Sequence, residues 1–180
     1  IEVAGVGGAL VGVRLVPGQE FAPWRGFSAP VTATLDFHGH DATLALRRPA
    51  RQPTARVEGA VRPLAANYSA PLLYYKRINE TLTGLAGAFA ISHFTGPSGL
   101  RFLQPYDPER IPLVFVHGLM ATDQMWLNVI NDLEADPVLR GRYQYWEFGY
   151  PTGNPIAYSA LKLREALAKV DKLYPNHKGY

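Results

Sequence analysis

Two rhythms of apolar and polar positions divide the chain. Over the first seventy residues the apolar positions recur in short runs broken by glycine and proline. Ala9–Val16 (ALVGVRLV) reads as a strand stopped by Pro17-Gly18. The turn-rich PGQEFAPWRGFSAP that follows reads as a loop. Val31, Ala33, Leu35 and Phe37 then alternate with Thr32, Thr34 and Asp36, the period of a half-buried strand. That strand and ATLALRR flank HGHD, which predicts a β-hairpin, and ARVEGAVRPL adds another strand. Residues 1–68 are therefore expected to form a small β-rich module.

Residues 69–104 change character and are read as a helical connector. Ser69 suits a helix cap and Pro71 its first turn in Ser69–Phe94, a long stretch rich in aromatic, Ala and Leu residues. Lys76, Arg77 and Glu80 interrupt it, so it does not read as a transmembrane helix. An amphipathic cover lying on a neighbouring domain is expected, with membrane-surface contact through Ser69–Phe94 as the second reading.

From Ile111 the rhythm becomes strand and helix. IPLVFV is a continuous apolar run, as in a strand buried on both faces. Thr122 or Asp123 is placed to cap a helix in which Trp126, Val129, Ile130 and Leu133 share one face, ended by Asp136-Pro137. Tyr143–Phe148 (YQYWEF) is the next strand. A helix with Ala160, Leu163, Leu167 and Val170 on one face follows the loop GYPTGNPI. Strand–helix–strand–helix with short connections predicts a parallel unit. Its open apolar edge calls for a further strand, so the sequence reads as cut at its C-terminus, and Ile1 in place of Met reads as a cut at the other end.

Composition narrows the class. With 47% hydrophobic and 18% charged residues the 180-residue chain reads as globular rather than disordered. The net charge of +3 is mild. Arg47–Arg62 gathers arginines without interleaved aromatics, so a solvated edge is favoured over a nucleic-acid surface, and no nucleic-acid partner is expected. The absence of cysteine excludes disulfides and cysteine-based zinc sites. No cofactor or metal is implied. HGHD offers two histidines two apart but no nearby third ligand, so a turn is favoured, and GVGG lacks the spacing of a dinucleotide loop.

The chemistry concentrates in IPLVFVHGLMATDQMW, Ile111–Trp126. Acyl transfer passes through an oxyanion, and backbone N–H groups at the end of a buried strand can stabilise it by several kcal/mol. In such a loop Gly118 would allow backbone conformations denied to other residues, and His117 would hold the loop rigid. Leu119 N–H would be the oxyanion donor, with Met120 and Met125 as apolar neighbours of the substrate. Tyr150, beyond the end of the second strand, is placed to line the same pocket.

YDPERIPLVFVHGL, Trp126 and YWEFGYPTGNPI resemble the lipase/esterase-like branch of the α/β-hydrolase superfamily, over residues Tyr106–Tyr180. The resemblance implies an α/β fold: the first strands and helices of an α/β-hydrolase sheet over residues 105–180, preceded by the β-rich module and the helical connector. It implies a serine hydrolase of lipid metabolism that cleaves carboxylic esters through an acyl-enzyme, with an apolar ester or lipid-like substrate. The parent would be secreted, periplasmic or lipid-anchored. It also implies a Gly-x-Ser-x-Gly elbow. Ser28, Ser69, Ser92, Ser98 and Ser159 all stand outside that pattern. No nucleophile, acid or base is assigned to this chain, and the chain alone is expected to be inactive. The alternative is a non-catalytic binding or membrane-surface module with a hydrolase-like βα unit, which predicts a closed sheet.

Overall fold

A computed structural model describes residues 1–57, 59–75, 99–118, 123–151 and 153–175. The chain divides into two compact units, one of Ile1–Arg14 with Ser28–Tyr75 and one of Leu15–Phe27 with Lys76–Tyr180.

The first unit is built from short strands: β1 (Glu2–Val3), β2 (Gly8–Arg14), β3 (Phe27–His38), β4 (Asp41–Arg47), β5 (Thr54–Val57), β6 (Ala60–Pro63) and β7 (Ala66–Asn67). Residues 69–75 form a helix, α1. β1 pairs with β7, β5 with β6 and β3 with β4, all antiparallel, and β2 lies on the other side of β3. Gly39 turns the β3–β4 hairpin with φ 64°, the positive value required at the first central position of a two-residue II′ turn.

The alternation in β3 has the expected period, but the other face is covered. Thr32 and Thr34 are buried, whereas Leu35 and Phe37 are exposed. The Thr32 hydroxyl donates to the Ala65 carbonyl at 2.7 Å. Arg47 Nε donates to Thr34 Oγ1 at 2.9 Å and its Nη2 donates to Asp36 Oδ2 at 3.0 Å. Backbone presses closely on this side. A Cβ on Gly7 would come within 2.5 Å of the Ala33 carbonyl oxygen and 2.8 Å of a Thr32 methyl.

The second unit holds β8 (Gly99–Phe102), β9 (Ile111–Val116), α2 (Leu127–Ala135), α3 (Pro137–Arg142), β10 (Tyr143–Gly149) and α4 (Ile156–Leu173). The sheet order is β8-β10-β9, with β10 antiparallel to β8 and parallel to β9. Every residue of β10 from Gln144 to Gly149 is buried, because both of its faces are covered. On one face Trp146 and Phe148 join Phe27, Leu100, Phe102 and Val170 in the core, with Trp146 stacked on Phe102 at 4.3 Å between ring centroids. On the other, Tyr145 meets Phe115, which meets Trp126. Full burial of each such side chain is worth about 1.5–3 kcal/mol. The segment read as a plain loop contributes to this core, as Phe21 stacks on Phe102 and its carbonyl accepts the Phe102 amide at 2.8 Å.

Buried Gln144 and half-buried Gln104 fasten the segment before β9 to β10. Gln144 Nε2 donates to the carbonyls of Asp107 and Arg110, at 2.8 and 3.0 Å, and its Oε1 accepts the Asp107 amide. Gln104 Oε1 accepts the Tyr145 amide at 3.0 Å. Asp136 ends α2 and caps α3, accepting from Val138 N at 2.7 Å, with Pro137 in the first turn. The helical face predicted for Val129 is corrected: Leu127, Ile130 and Glu134 face inward and Val129 is exposed. α2 is not capped by Asp123, since a 3-10 turn over Asp123–Trp126 precedes it and Trp126 occupies the cap position. Thr122 lies outside the described residues.

The expectation of an α/β fold, with the first strands and helices of an α/β-hydrolase sheet, is overturned. The described strands fall into four separate small sheets, of two, three, three and two strands, and their pairing is mostly antiparallel. Among the described residues the helices after α1 lie in the C-terminal part. The physical reason lies in the frequent glycine and proline turns of the first seventy residues. They fold strands back as hairpins where a parallel sheet needs long crossovers. Among the described residues the three-stranded sheet β8-β10-β9 is open at both edges. Among the described residues no helix is long and apolar enough to cross a membrane, and most of Ser69–Phe94 lies outside them.

Candidate functional site

β9 and β10 run in the same direction with Val116 opposite Phe148, so the residues just beyond each strand emerge side by side. His117 leaves β9 there and is only 5% exposed. Its ring is held at both nitrogens. Nδ1 lies 3.0 Å from the Gly118 carbonyl oxygen, and Nε2 lies 3.1 Å from the Tyr150 amide nitrogen. A carbonyl can only accept and an amide can only donate, so these partners fix the neutral tautomer with the proton on Nδ1. The Tyr150 hydroxyl donates to the His117 carbonyl at 2.9 Å, and the two rings stack at 4.3 Å with planes 8° apart. Three contacts from one tyrosine therefore hold the histidine and the chain beside it.

This arrangement limits the chemistry of His117. A general base needs a ring nitrogen within reach of the proton it removes. Here Nε2 is occupied by a backbone amide and Nδ1 faces a carbonyl. The side chain is a brace for the turn out of β9.

Gly118 departs from expectation. It does not adopt a positive φ, and a Cβ placed on it would meet nothing within 4 Å. Backbone freedom is therefore not what this glycine supplies in the folded chain. It leaves open space beside the chain just past β9. Leu119 and Met120 lie outside the described residues. Met125 is half exposed in the 3-10 turn, which packs against β9 and β10. Tyr150 is partly buried, with ring and hydroxyl turned to His117.

Ser28 Oγ donates to the Pro71 carbonyl at 3.0 Å, and Ser69 accepts from the N-terminal amine. Ser159 is buried within the first turns of α4. Ser92 and Ser98 lie outside the described residues. A second ionisable cluster, not anticipated from sequence, sits under α2. Glu134 is buried, and burial pushes its carboxyl up to about 7 against the lowering influence of Arg140, Arg110 and a 2.6 Å hydrogen bond from Gln104 Nε2. Burial likewise raises the neighbouring Tyr145 phenol, with the Glu134 charge acting in the same direction. A glutamate on a helix face otherwise made of Leu127 and Ile130 was the available signal.

No family model, curated protein or solved structure matches the chain.

Proposed function

We propose that the chain forms the oxyanion-stabilising side of a serine ester hydrolase that acts on apolar ester or lipid-like substrates through an acyl-enzyme. The reading rests on the chemistry of the His-Gly turn and not on the sheet architecture expected from sequence. One observation carries it: His117 is committed to the backbone at both ring nitrogens and at its carbonyl, directly before a glycine with open space beside it. A rigid, glycine-fronted turn at the end of a strand is what pre-organised amide donors require. In this reading Leu119 N–H is the donor, Gly118 admits the substrate carbonyl, Met120 and Met125 flank the acyl chain, and His117 and Tyr150 hold the turn. The nucleophile, acid and base are not assigned to these residues.

The test uses the 180-residue chain and an alkylphosphonate as a tetrahedral anion. Titration followed by amide NMR is expected to shift the resonances of Gly118 to Met120 selectively. Shifts confined to other segments, or none at saturating phosphonate, would sink the proposal. Nitrophenyl-ester turnover by the chain that a serine-directed phosphonate abolishes would show instead that a complete triad is present.

A further inference from the structure

The ends of β9 and β10 are joined through one ring, and one nitrogen of that ring must carry no proton. Nε2 of His117 accepts the Tyr150 amide at 3.1 Å, and only the neutral imidazole has a nitrogen that can accept. Nδ1 lies 3.0 Å from the Gly118 carbonyl oxygen and donates to it in either charge state. Gaining a proton from solvent therefore spares one contact and reverses the other. Nε2 becomes a donor and confronts a donor, the Tyr150 N–H.

The surroundings do not compensate the added charge. His117 is buried, and among the described residues its ring has no ion pair; its partners are Gly118 and Tyr150. Few ionisable groups stand on the elements about it. The Tyr150 hydroxyl is committed to the His117 carbonyl. Glu147, the one acid of β10, lies in register with Phe115 and has Arg101 of β8 opposite it. Asp123 opens the 3-10 turn packed against β9 and β10, and the first turn of α4 holds no acid. The Tyr150 ring stacks on the imidazole and can hold a cation on its face. That contact is present already, and it returns no acceptor to the amide.

We infer that the His117–Tyr150 brace is an acid-sensitive latch: a proton on Nε2 releases the Tyr150 amide, and the turn at Gly118 loses its hold on the end of β10. The sign is definite. The latch is closed with the ring neutral and opens as pH falls. Its existence follows from the two partners of the ring alone, whereas its bearing on oxyanion binding rests on the hydrolase reading of the turn. On that reading the amide donors are pre-organised with the latch closed and slackened in acid.

Amide exchange and imidazole ¹⁵N shifts of the full chain, followed from about pH 8 to about pH 5, test this, the range in which histidine side chains change charge. Protection of the Tyr150 amide, corrected for the intrinsic pH dependence of exchange, is expected to fall at least about tenfold in step with protonation of Nε2. Glu134→Gln removes the other group raised into this range and should leave that fall in place. His117→Gln offers a donor and an acceptor but no titrating nitrogen, so its Tyr150 amide should keep one level of protection throughout. A methyl alkylphosphonate, an anion of constant charge over this range, should bind at Gly118–Met120 several-fold more weakly in acid, and equally at both ends of the range in His117→Gln. A ring still neutral at about pH 5, a Tyr150 amide indifferent to its protonation, or the same fall in His117→Gln overturns the latch. Tighter binding of the anion in acid, drawn by the imidazolium, overturns its bearing on the turn. No binding at any pH would sink the hydrolase reading, and the Tyr150 amide would still decide the latch.

Discussion

With Nδ1 facing the Gly118 carbonyl and Nε2 accepting the Tyr150 amide, His117 couples two neighbouring strand ends through a single ring. His117→Phe keeps an aromatic face for Tyr150 but leaves the Tyr150 amide without its acceptor, and a loss of about 1–3 kcal/mol is expected in urea unfolding. Tyr150→Phe removes only the hydroxyl bond to the His117 carbonyl and should cost about 1 kcal/mol. The imidazole ¹⁵N shifts of the parent chain should report a neutral ring with its proton on Nδ1. A proton on Nε2 would contradict the brace. The His-Gly pair was legible in the sequence because a polar residue and a glycine interrupt an apolar run. The tyrosine brace was not, because Tyr150 meets His117 only through the parallel register of β9 with β10.

Elements show the same division between period and face. The alternation of β3 was readable, but nothing within the strand says which side the rest of the chain will cover. Thr32 is buried because Ala65, thirty-three residues on, supplies a carbonyl for its hydroxyl. In α2 the buried line passes through Leu127, Ile130 and Glu134 rather than Val129, and the price is a carboxyl withdrawn from water. Its consequence for stability has a definite sign. Below the ordinary value of 4.5 Glu134 is protonated in both the folded and the unfolded chain. As pH rises towards 7 the unfolded chain ionises first, so stability falls across this window and stays lower above it. The loss is on the order of 3 kcal/mol. Glu134→Gln should remove this descent and unfold at higher urea than the parent at pH 8. A parent whose stability rises from pH 5 to pH 8, or a Gln variant with the same slope as the parent, would refute the assignment.

For the molecule as a whole, the largest departure from the sequence reading concerns which segments belong together. The α/β-hydrolase sheet was inferred from one strand–helix–strand rhythm after Ile111, and that rhythm extends to one parallel pair, β9 with β10. β8 joins the same sheet antiparallel, and the earlier strands pair among themselves, β3 with β4 and β5 with β6 as hairpins. Leu15–Phe27, rich in turn formers, belongs to the second unit and delivers Phe21 and Phe27 to its core. Local composition marked it as a loop, since its aromatic contacts come from residues about eighty positions away. Phe21 has a φ of 61°, a conformation costly for a non-glycine residue, and its stacking on Phe102 offsets that cost. Phe21→Ala keeps the unfavourable backbone and loses the ring, so about 2–4 kcal/mol should be lost from the second unit. Amide exchange should accelerate along β8 and β10. Unchanged protection in both strands would show that the loop is not part of that core.

The open space beside Gly118 has a practical use. The sequence contains no cysteine, so a thiol introduced at position 118 would be the single reactive sulfur in the chain. Its rate of alkylation would then read directly whether the mouth of the turn is empty or filled, without any turnover to follow. A position that contributes nothing to packing thus becomes the natural place for a reporter.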